Sequence, residues 1–380
     1  MSASVFNAAH DLPDDWRSGV FVGRIDRGDG PSPVVLRDGA LIDVSKSAAT
    51  VSDLLEAGAA SAPGENLGGV NALTLAAGDN AAIRLLSPLD LQCVKAAGVT
   101  FAVSTLERVI EERARGDAEQ AGGIREKLER DIGAKLHSVV PGGAEAAALK
   151  SALVEAGLWS QYLEVAIGPD AEIFTKAPVL SSVGWGAEIG VRSDSRWNNP
   201  EPEIVLVADR NGEPVGAALG NDVNLRDIEG RSALLLGKAK DNNASCAIGP
   251  FIRIFDESFS LNDVRGEDVS LRVAGADGFA LEGVSSMRLI SRDPEDLLRQ
   301  CFDQHCYPDG AALFLGTMFA PTQDRDEAGG GFTHHEGDIV EIGSKKLGRL
   351  INRVTRCDAA PPWRFGVRDL MRSLAKRKLL

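Results

Sequence analysis

The chain has 380 residues, with 41 Lys and Arg against 55 Asp and Glu, and therefore a formal net charge of −14 at pH 7. This length buries a large core without disulfides or structural metals, and a content of 44% hydrophobic and 25% charged residues is typical of a globular protein. The negative net charge repels phosphate backbones and anionic lipid surfaces, which argues against nucleic acids and membranes as partners.

Two further features concern the compartment. No apolar run approaches the roughly 20 residues that cross a bilayer, and the first residues lack the basic and apolar regions of a secretory signal. The five cysteines form an odd, scattered set, which predicts free thiols in a reducing compartment. We therefore expect a cytoplasmic protein.

The first 85 residues are predicted to be rich in β-structure. Residues 20–25, 34–36 and 40–44 have the apolar, β-branched composition of strands. A short helix is predicted over 51–57, and the Gly-, Ala- and Asn-rich segment 58–82 is predicted to be a loop.

Residues 105–157 are predicted to be helical. Apolar side chains recur there at helical spacing, at Leu106, Val109, Ile110, Ile124, Leu128, Ile132 and Leu136. Gly122 and Gly123 are predicted to interrupt the first part, and 141–143 to separate it from a further helix. We interpret this block as packing or oligomer surface, since it shows no obvious chemistry.

The second half of the chain is predicted to be mainly β-structure with one helix. Predicted strands are 204–208, 215–219, 269–273, 338–342 and 347–354, and a helix is predicted to begin at Asp293-Pro294. Because the strands follow one another instead of alternating with helices, the pattern favours a β-roll or sandwich over a doubly wound parallel sheet.

Three carboxylates are the strongest candidates for chemistry. Glu201 and Glu203 are two residues apart at the start of a predicted strand, so both point to the same face. An Asn-Gly turn then returns the chain and brings Asp222 beside them. Three adjacent carboxylates either hold a hard divalent cation such as Mg²⁺, Mn²⁺ or Ca²⁺ or are solvated acids at strand ends.

Two lysines follow these acids along the chain. Lys238 and Lys240 are candidates for a general base whose pKa a nearby cation lowers, with surface charges as the alternative. The neighbouring Cys301, His305 and Cys306 are too few for a zinc site, because a second pair of ligands at suitable spacing is lacking.

In residues 160–356 the chain resembles the fumarylacetoacetate hydrolase superfamily. Five separated motifs occur in order: Phe174-Thr-Lys176, Glu201-x-Glu203 with Asp222, the segment ending in Gly249-Pro250, Gly316-Thr317, and the closing segment 337–354. Segments 197–203, 220–230 and 316–325 are similar to bacterial 2-keto-3-deoxy-pentonate dehydratases, which act in oxidative pentose degradation.

The resemblance implies a fold, a reaction and a set of site residues. The implied fold is α+β, mainly β: a mixed β-roll with a smaller N-terminal α/β domain. The implied reaction is metal-dependent dehydration of 2-keto-3-deoxy-D-xylonate, or its arabinonate epimer, to 2-oxoglutarate semialdehyde. The implied ligands of Mg²⁺, or of Mn²⁺ or Ca²⁺, are Glu201, Glu203 and Asp222, and the implied catalytic residues are Lys240, expected to be neutral at rest, and Glu172.

Four further residues are predicted to contact the 2-keto sugar acid: Thr317, Gly316, Arg226 and Lys176. For Arg226 the alternative is a salt bridge to Asp227 or Glu229. For the base, Lys238 is an alternative alignment to Lys240.

The predicted organisation has four parts: a β-rich domain over 1–85, a helical connection over 86–160, a catalytic domain over 161–358 and a tail over 359–380. We expect a homodimer or homotetramer. Two rival functions stay open, an acylpyruvate hydrolase on the same fold and a non-catalytic sugar-acid-binding protein. The lack of a clear counterpart to the His-Glu dyad of hydrolytic members argues against the first, and the complete carboxylate set with Lys240 against the second.

Overall fold

The computed structural model describes residues 5–78, 80–128, 136, 139–327 and 331–380. The strands are β1 Phe21–Asp26, β2 Pro31–Arg37, β3 Ala40–Asp43, β4 Glu65–Gly69, β5 Leu75–Ala76, β6 Ile83–Leu85, β7 Cys93–Gly98, β8 Glu172–Ala177, β9 Glu188–Val191, β10 Asn198–Asn199, β11 Pro202–Ala208, β12 Pro214–Asp222, β13 Asn224–Leu225, β14 Cys246–Ile254, β15 Asp268–Ala274, β16 Ala280–Ser286, β17 Ala311–Phe314, β18 Ile339–Ser344 and β19 Gly348–Arg356.

The α-helices are short to medium in length. They span Ala8–Asp11, Val51–Ala57, Ala102–Arg113, Ala118–Leu128, Ala144–Glu155, Gln161–Ile167, Arg226–Glu229, Leu236–Lys240, Leu261–Gly266, Pro294–Phe302 and Val367–Arg377. Single 3₁₀ turns lie at Ala59–Ser61, Val70–Ala72, Ala233–Leu235 and Met287–Leu289. None of the helices in the described part of the chain has the length and apolar character needed to cross a bilayer.

Two large sheets form the body of the molecule. A 12-stranded sheet has the order β4-β3-β2-β1-β14-β12-β11-β17-β7-β8, with β6 pairing β1 and β5 pairing β6. A 5-stranded sheet has the order β16-β15-β18-β19-β9. Because β1 pairs antiparallel with β14, the N-terminal strands extend the sheet that holds β11 and β12. The division of the chain into four parts stays a prediction.

The central strands are apolar on both faces because each face of the large sheet is covered. Along β11, Ile204 and Leu206 belong to a cluster shared with the 5-stranded sheet. Val205 and Val207 point to the opposite face and pack in a cluster that includes the helix Val51–Ala57. The continuous apolar run in β11 is therefore explained by burial on two sides.

The helices between β7 and β8 have an apolar core of their own. Ala102–Arg113, Ala118–Leu128, Ala144–Glu155 and Gln161–Ile167 contribute buried side chains to it, together with Trp197. Since Trp197 shortly precedes β11, this helical cluster packs beside the strand that begins at the predicted metal ligands.

Most predicted strands and helices are confirmed, and two expectations were wrong. Residues 58–82 hold β4 and β5, where only a loop was expected. The helix Ala118–Leu128 runs through Gly122 and Gly123 without a break. Each glycine costs about 1 kcal/mol relative to Ala, but the burial of Ala121 and Leu128 in the helical cluster offsets this cost. Ile132 lies outside the described residues.

Candidate active site

The antiparallel pair β11–β12 brings the three predicted carboxylates together. Glu203 pairs with Gly220 in register, and the Asp222 amide donates to the Glu201 carbonyl at 3.1 Å. One oxygen from each of Glu201, Glu203 and Asp222 lies within 4.8 Å of the others, and all three residues are buried. The sequence prediction that the hairpin returns Asp222 to the glutamates is confirmed.

Three cations neutralise this acidic cluster from different elements. Lys240 Nζ lies 2.5 Å from Glu201 Oε2 and 3.2 Å from Asp222 Oδ2. Lys176 Nζ lies 2.7 Å from Asp222 Oδ1, and Arg108 Nη2 donates to Glu201 Oε1 at 2.5 Å. Glu201 and Asp222 therefore both form ion pairs with side chains of the protein itself.

Glu203 is held differently, by a backbone amide. The Gly316 N–H donates to Glu203 Oε2 at 2.7 Å. Gly316 has φ +101°, and a Cβ there would lie 1.9 Å from Thr100 Oγ1. Only glycine therefore brings this amide so close to the Glu203 carboxylate.

The charges in the cluster shift its pKa values in different directions. Burial, together with Asp222 and Glu201, raises the pKa of Glu203 well above its usual range. Burial opposes ionisation of Asp222 as well, but Lys176 and Lys240 outweigh it and lower the pKa of Asp222. Burial alone would lower the pKa of Lys240, yet Asp222, Glu201 and Glu229 raise it. With protein groups alone, Lys240 is therefore held as an ammonium, and the neutral amine expected from the sequence, which depends on a bound cation, stays a prediction.

The donor set fits a hard divalent cation. It consists of carboxylate oxygens alone, which is the chemistry that Mg²⁺, Mn²⁺ and Ca²⁺ prefer. Burial and the adjacent Asp222 and Glu201 raise the pKa of Glu203 although Lys240 opposes the shift, and a cation between the three acids would supply the positive charge that favours the ionised carboxylate.

A cavity opens onto the cluster, and several predicted residues line it. Glu172, Lys240 and Thr317 contribute to its walls together with the three acids. Glu172 stands opposite Gly98 in the β7–β8 pair, and a Cβ at Gly98 would lie 2.0 Å from Glu172 Oε2. The carboxyl group of Glu172 therefore lies against this glycine.

Glu172 is suited to carry a proton near neutral pH. Burial raises its pKa to about 7, with Glu229 and Glu201 adding to the shift, while Arg108 and Lys240 oppose it. A carboxyl group that stays half-protonated at pH 7 can act as a general acid there.

Three predicted substrate contacts lie behind the cavity lining. Lys176 donates a hydrogen bond to the Lys240 carbonyl and forms an ion pair with Asp222. It therefore links the backbone at Lys240 to the Asp222 carboxylate. Gly316 is engaged with Glu203. Arg226 donates to Asn199 Oδ1 at 2.7 Å. Direct contact of these three residues with substrate stays a prediction.

The charge partners of Arg226 differ from the alternative considered in the sequence. Its Nε lies 3.3 Å from Glu111 Oε1, whereas Asp227 accepts a hydrogen bond from Ser195 at 2.7 Å. Lys238, the alternative base, lies outside the cavity lining, where its half-exposed side chain is 3.1 Å from Asp194.

Arg108 and Glu229 also line the cavity, although neither is among the site residues predicted from the sequence. Arg108 comes from the helix Ala102–Arg113, in the block that the sequence predicts to be packing or oligomer surface. The sequence shows that Glu107, Arg108 and Glu111 are interleaved with Val109 and Ile110, but only the structure shows that all five are buried. Charged residues interleaved with apolar ones on a buried helix indicate internal ion pairs.

Glu203→Gln should abolish tight binding of Mg²⁺ without lowering stability. The amide keeps an acceptor for the Gly316 N–H and removes a buried negative charge that lies close to two others. Calorimetric titration with Mg²⁺ and thermal unfolding without metal would measure both effects. An unchanged Mg²⁺ affinity would show that Glu203 is not a ligand.

No protein-family model matches the chain. It is 34% identical over 185 residues to the 2-dehydro-3-deoxy-D-arabinonate dehydratase of Saccharolobus solfataricus, an alignment that covers 49% of this chain and 59% of the relative. It is 31% identical over 201 residues to the probable 2-keto-3-deoxyxylonate dehydratase of Haloferax volcanii, covering 53% of this chain and 66% of the relative. The matches thus span less than two thirds of either curated relative.

Solved structures match along nearly the whole chain. A 2-keto-3-deoxy-D-arabinonate dehydratase complexed with magnesium and 2,5-dioxopentanoate superposes with a TM-score of 0.62 at 23% identity, over 89% of this chain and 98% of that one. A fumarylacetoacetate hydrolase from Exiguobacterium antarcticum superposes with a TM-score of 0.55 at 17% identity, over 89% and 99%.

The chain has a fumarylacetoacetate hydrolase-like fold. The mixed, mainly β architecture expected from the sequence motifs is therefore confirmed, as is the resemblance to pentonate dehydratases. At these identities the structural matches establish the fold alone.

Proposed function

We propose that the chain is a metal-dependent hydro-lyase that converts a 2-keto-3-deoxy-pentonate, the xylonate or the arabinonate epimer, to 2-oxoglutarate semialdehyde. The observation that carries this proposal is that Glu201, Glu203, Asp222, Lys240 and Glu172 all line one and the same cavity. The names of the two curated relatives support it. So does the 2,5-dioxopentanoate of the solved dehydratase, since that compound is 2-oxoglutarate semialdehyde.

Glu201, Glu203 and Asp222 would hold the cofactor, for which we propose Mg²⁺, with Mn²⁺ or Ca²⁺ as substitutes. The magnesium in the solved dehydratase supports this choice. When bound, a divalent cation supplies positive charge that stabilises negative charge on the substrate's C2 oxygen.

The chain's own side chains would carry the proton transfers. Lys240 removes a proton from C3, for which it must first lose the proton that Asp222 and Glu201 stabilise. Glu172 protonates the C4 hydroxyl as it leaves as water. Loss of a C5 proton and return of a proton to C3 then give an enol, which tautomerises to the aldehyde. Thr317, which lines the cavity, would donate a hydrogen bond to the substrate carboxylate in place of the one it gives to the Phe319 carbonyl at 3.2 Å.

Removal of divalent metal should abolish activity, and Mg²⁺ or Mn²⁺ should restore it. Among the described residues, Glu201, Glu203 and Asp222 form the carboxylate group that could ligate the ion. The proposed reaction develops negative charge on the substrate next to this group, and the ion would stabilise that charge. The measurement is 2-oxoglutarate formation in an assay coupled to an aldehyde dehydrogenase, run with both epimers after EDTA treatment and dialysis. Full activity in excess EDTA would contradict the metal requirement.

We further propose a cytoplasmic homodimer or homotetramer acting in pentose degradation. The absence of disulfides among the five cysteines supports a reducing compartment. Val154 in the helix Ala144–Glu155 and Val140 shortly before that helix are 52% and 74% exposed. These exposed apolar side chains support a surface for contact with another subunit. Light scattering on the purified protein would measure the oligomer number.

A further inference from the structure

One carboxylate oxygen in the cavity has no partner. Glu229 lies at the end of the helix Arg226–Glu229, lines the cavity and is only 2% exposed. Its Oε1 lies 3.2 Å from Arg108 Nε, whereas Oε2 is buried and accepts no hydrogen bond from any described residue. A buried carboxylate oxygen without a donor is unfavourable, so this oxygen of a cavity-lining residue needs a donor from an ordered water or from a bound ligand.

Glu229 shares the cavity with the proposed proton donor. Glu172 and Glu229 both line it, and Glu229 adds to the burial that raises the pKa of Glu172. The keto-acid end of the substrate belongs at Glu201, Glu203 and Asp222 in the proposed reaction. The C4–C5 end of the substrate would then contact the part of the cavity wall formed by Glu172 and Glu229.

The two carboxyl groups suit different hydroxyls of the substrate. Glu172 carries a proton to give, which suits the C4 hydroxyl that departs. Glu229 is ion-paired with Arg108 and can only accept, which suits a hydroxyl that stays. We propose that Glu229 is a specificity-determining residue whose Oε2 accepts a hydrogen bond from the C5 hydroxyl of the substrate, with Arg108 holding the carboxylate in place. This inference rests on the proposed dehydratase function and names the group that recognises the far end of its substrate.

The test compares two substrates that differ only in this hydroxyl. They are the 2-keto-3-deoxy-pentonate and 4-hydroxy-2-oxopentanoate, which lacks the C5 hydroxyl but can still lose water across C3–C4. The unmodified enzyme should favour the pentonate in kcat/KM. Glu229→Leu, which removes the acceptor at similar volume, should reduce that preference by roughly 10- to 100-fold. Glu229→Gln, which retains a weaker acceptor, should keep part of it.

Two controls separate recognition from a structural effect. Titration with Mn²⁺ alone should give the same affinity in the Glu229 variants and the unmodified protein, and Glu282→Gln, an exposed acid on β16, should leave the preference unchanged. An equal loss with both substrates would mean that Glu229 acts only through Arg108 on Glu201, and the inference would be wrong. If the unmodified enzyme shows no preference, the inference is likewise overturned. If it turns over neither substrate, the proposed function itself fails.

Discussion

Lys240→Met should lower turnover by roughly 10²- to 10⁴-fold, the usual contribution of a general base, whereas Lys238→Met should leave turnover nearly unchanged. The two lysines are two residues apart but differ completely in surroundings. Lys240 is 3% exposed and lies against Glu201 and Asp222. Lys238 has a side chain 39% exposed and pairs with Asp194 at the surface. Lys238→Met is therefore a matched control for the loss of one ammonium group.

Proton exchange would show which step has been lost. In D₂O the unmodified enzyme should exchange the C3 proton of the substrate, and Lys240→Met should lose this exchange while still binding Mg²⁺ in a calorimetric titration. Binding should persist because the variant keeps all three carboxylates and removes a cation that competes for them. An active Lys240→Met with a severely impaired Lys238→Met would reverse the assignment of the base.

The product distinguishes the reaction classes. A dehydratase releases an aldehyde that an aldehyde dehydrogenase oxidises to 2-oxoglutarate, with no pyruvate. Pyruvate as the main product, from a pentonate or an acylpyruvate, would place the chain among hydrolases or aldolases. The assignment of Lys240 as the base would then be tested separately, since proton exchange at C3 does not depend on the bond that breaks afterwards.

The acidic cluster of Glu201, Glu203 and Asp222 was predictable because its geometry depends on residues that are close in sequence. Two acids at i and i+2 on a strand share a face, and the turn at Asn211 and Gly212 fixes the register that returns Asp222 to Glu201. The same reasoning from neighbours in sequence could not find Arg108. This residue is far from Glu201 in sequence, and only the packing of the helix Ala102–Arg113 brings the two together at 2.5 Å.

The charge state of Lys240 also depends on groups far away in sequence. A cation bound at the three acids is predicted to lower its pKa. The surrounding structure adds Glu229 to Glu201 and Asp222, and their combined negative charge raises the pKa when protein groups act alone. The balance of burial against opposite charge depends on distances that no sequence pattern supplies.

The slope of the pH profile of kcat should decrease at about pH 7, because Glu172 must be protonated to act and loses its proton there. Burial raises the pKa of this carboxyl group to about 7, and Glu229 adds to the shift. Below that pH the group holds the proton that the departing C4 hydroxyl requires, and above it the proton is lost. The measurement is the pH profile of kcat, in which Glu213→Gln, a change of an exposed acid on the β11–β12 turn, should leave this change of slope in place.

Glu172→Gln should cost roughly 10²- to 10⁴-fold in kcat, and the pH profile of its remaining activity should lack the change of slope near pH 7. A substrate with fluorine in place of the C4 hydroxyl gives the sharpest comparison, because fluoride leaves with little need of a proton. Glu172→Gln should eliminate fluoride from it at nearly the rate of the unmodified enzyme, while Lys240→Met should be impaired on both substrates. Equal impairment of Glu172→Gln on both substrates would assign Glu172 to positioning the substrate instead of protonating the leaving group.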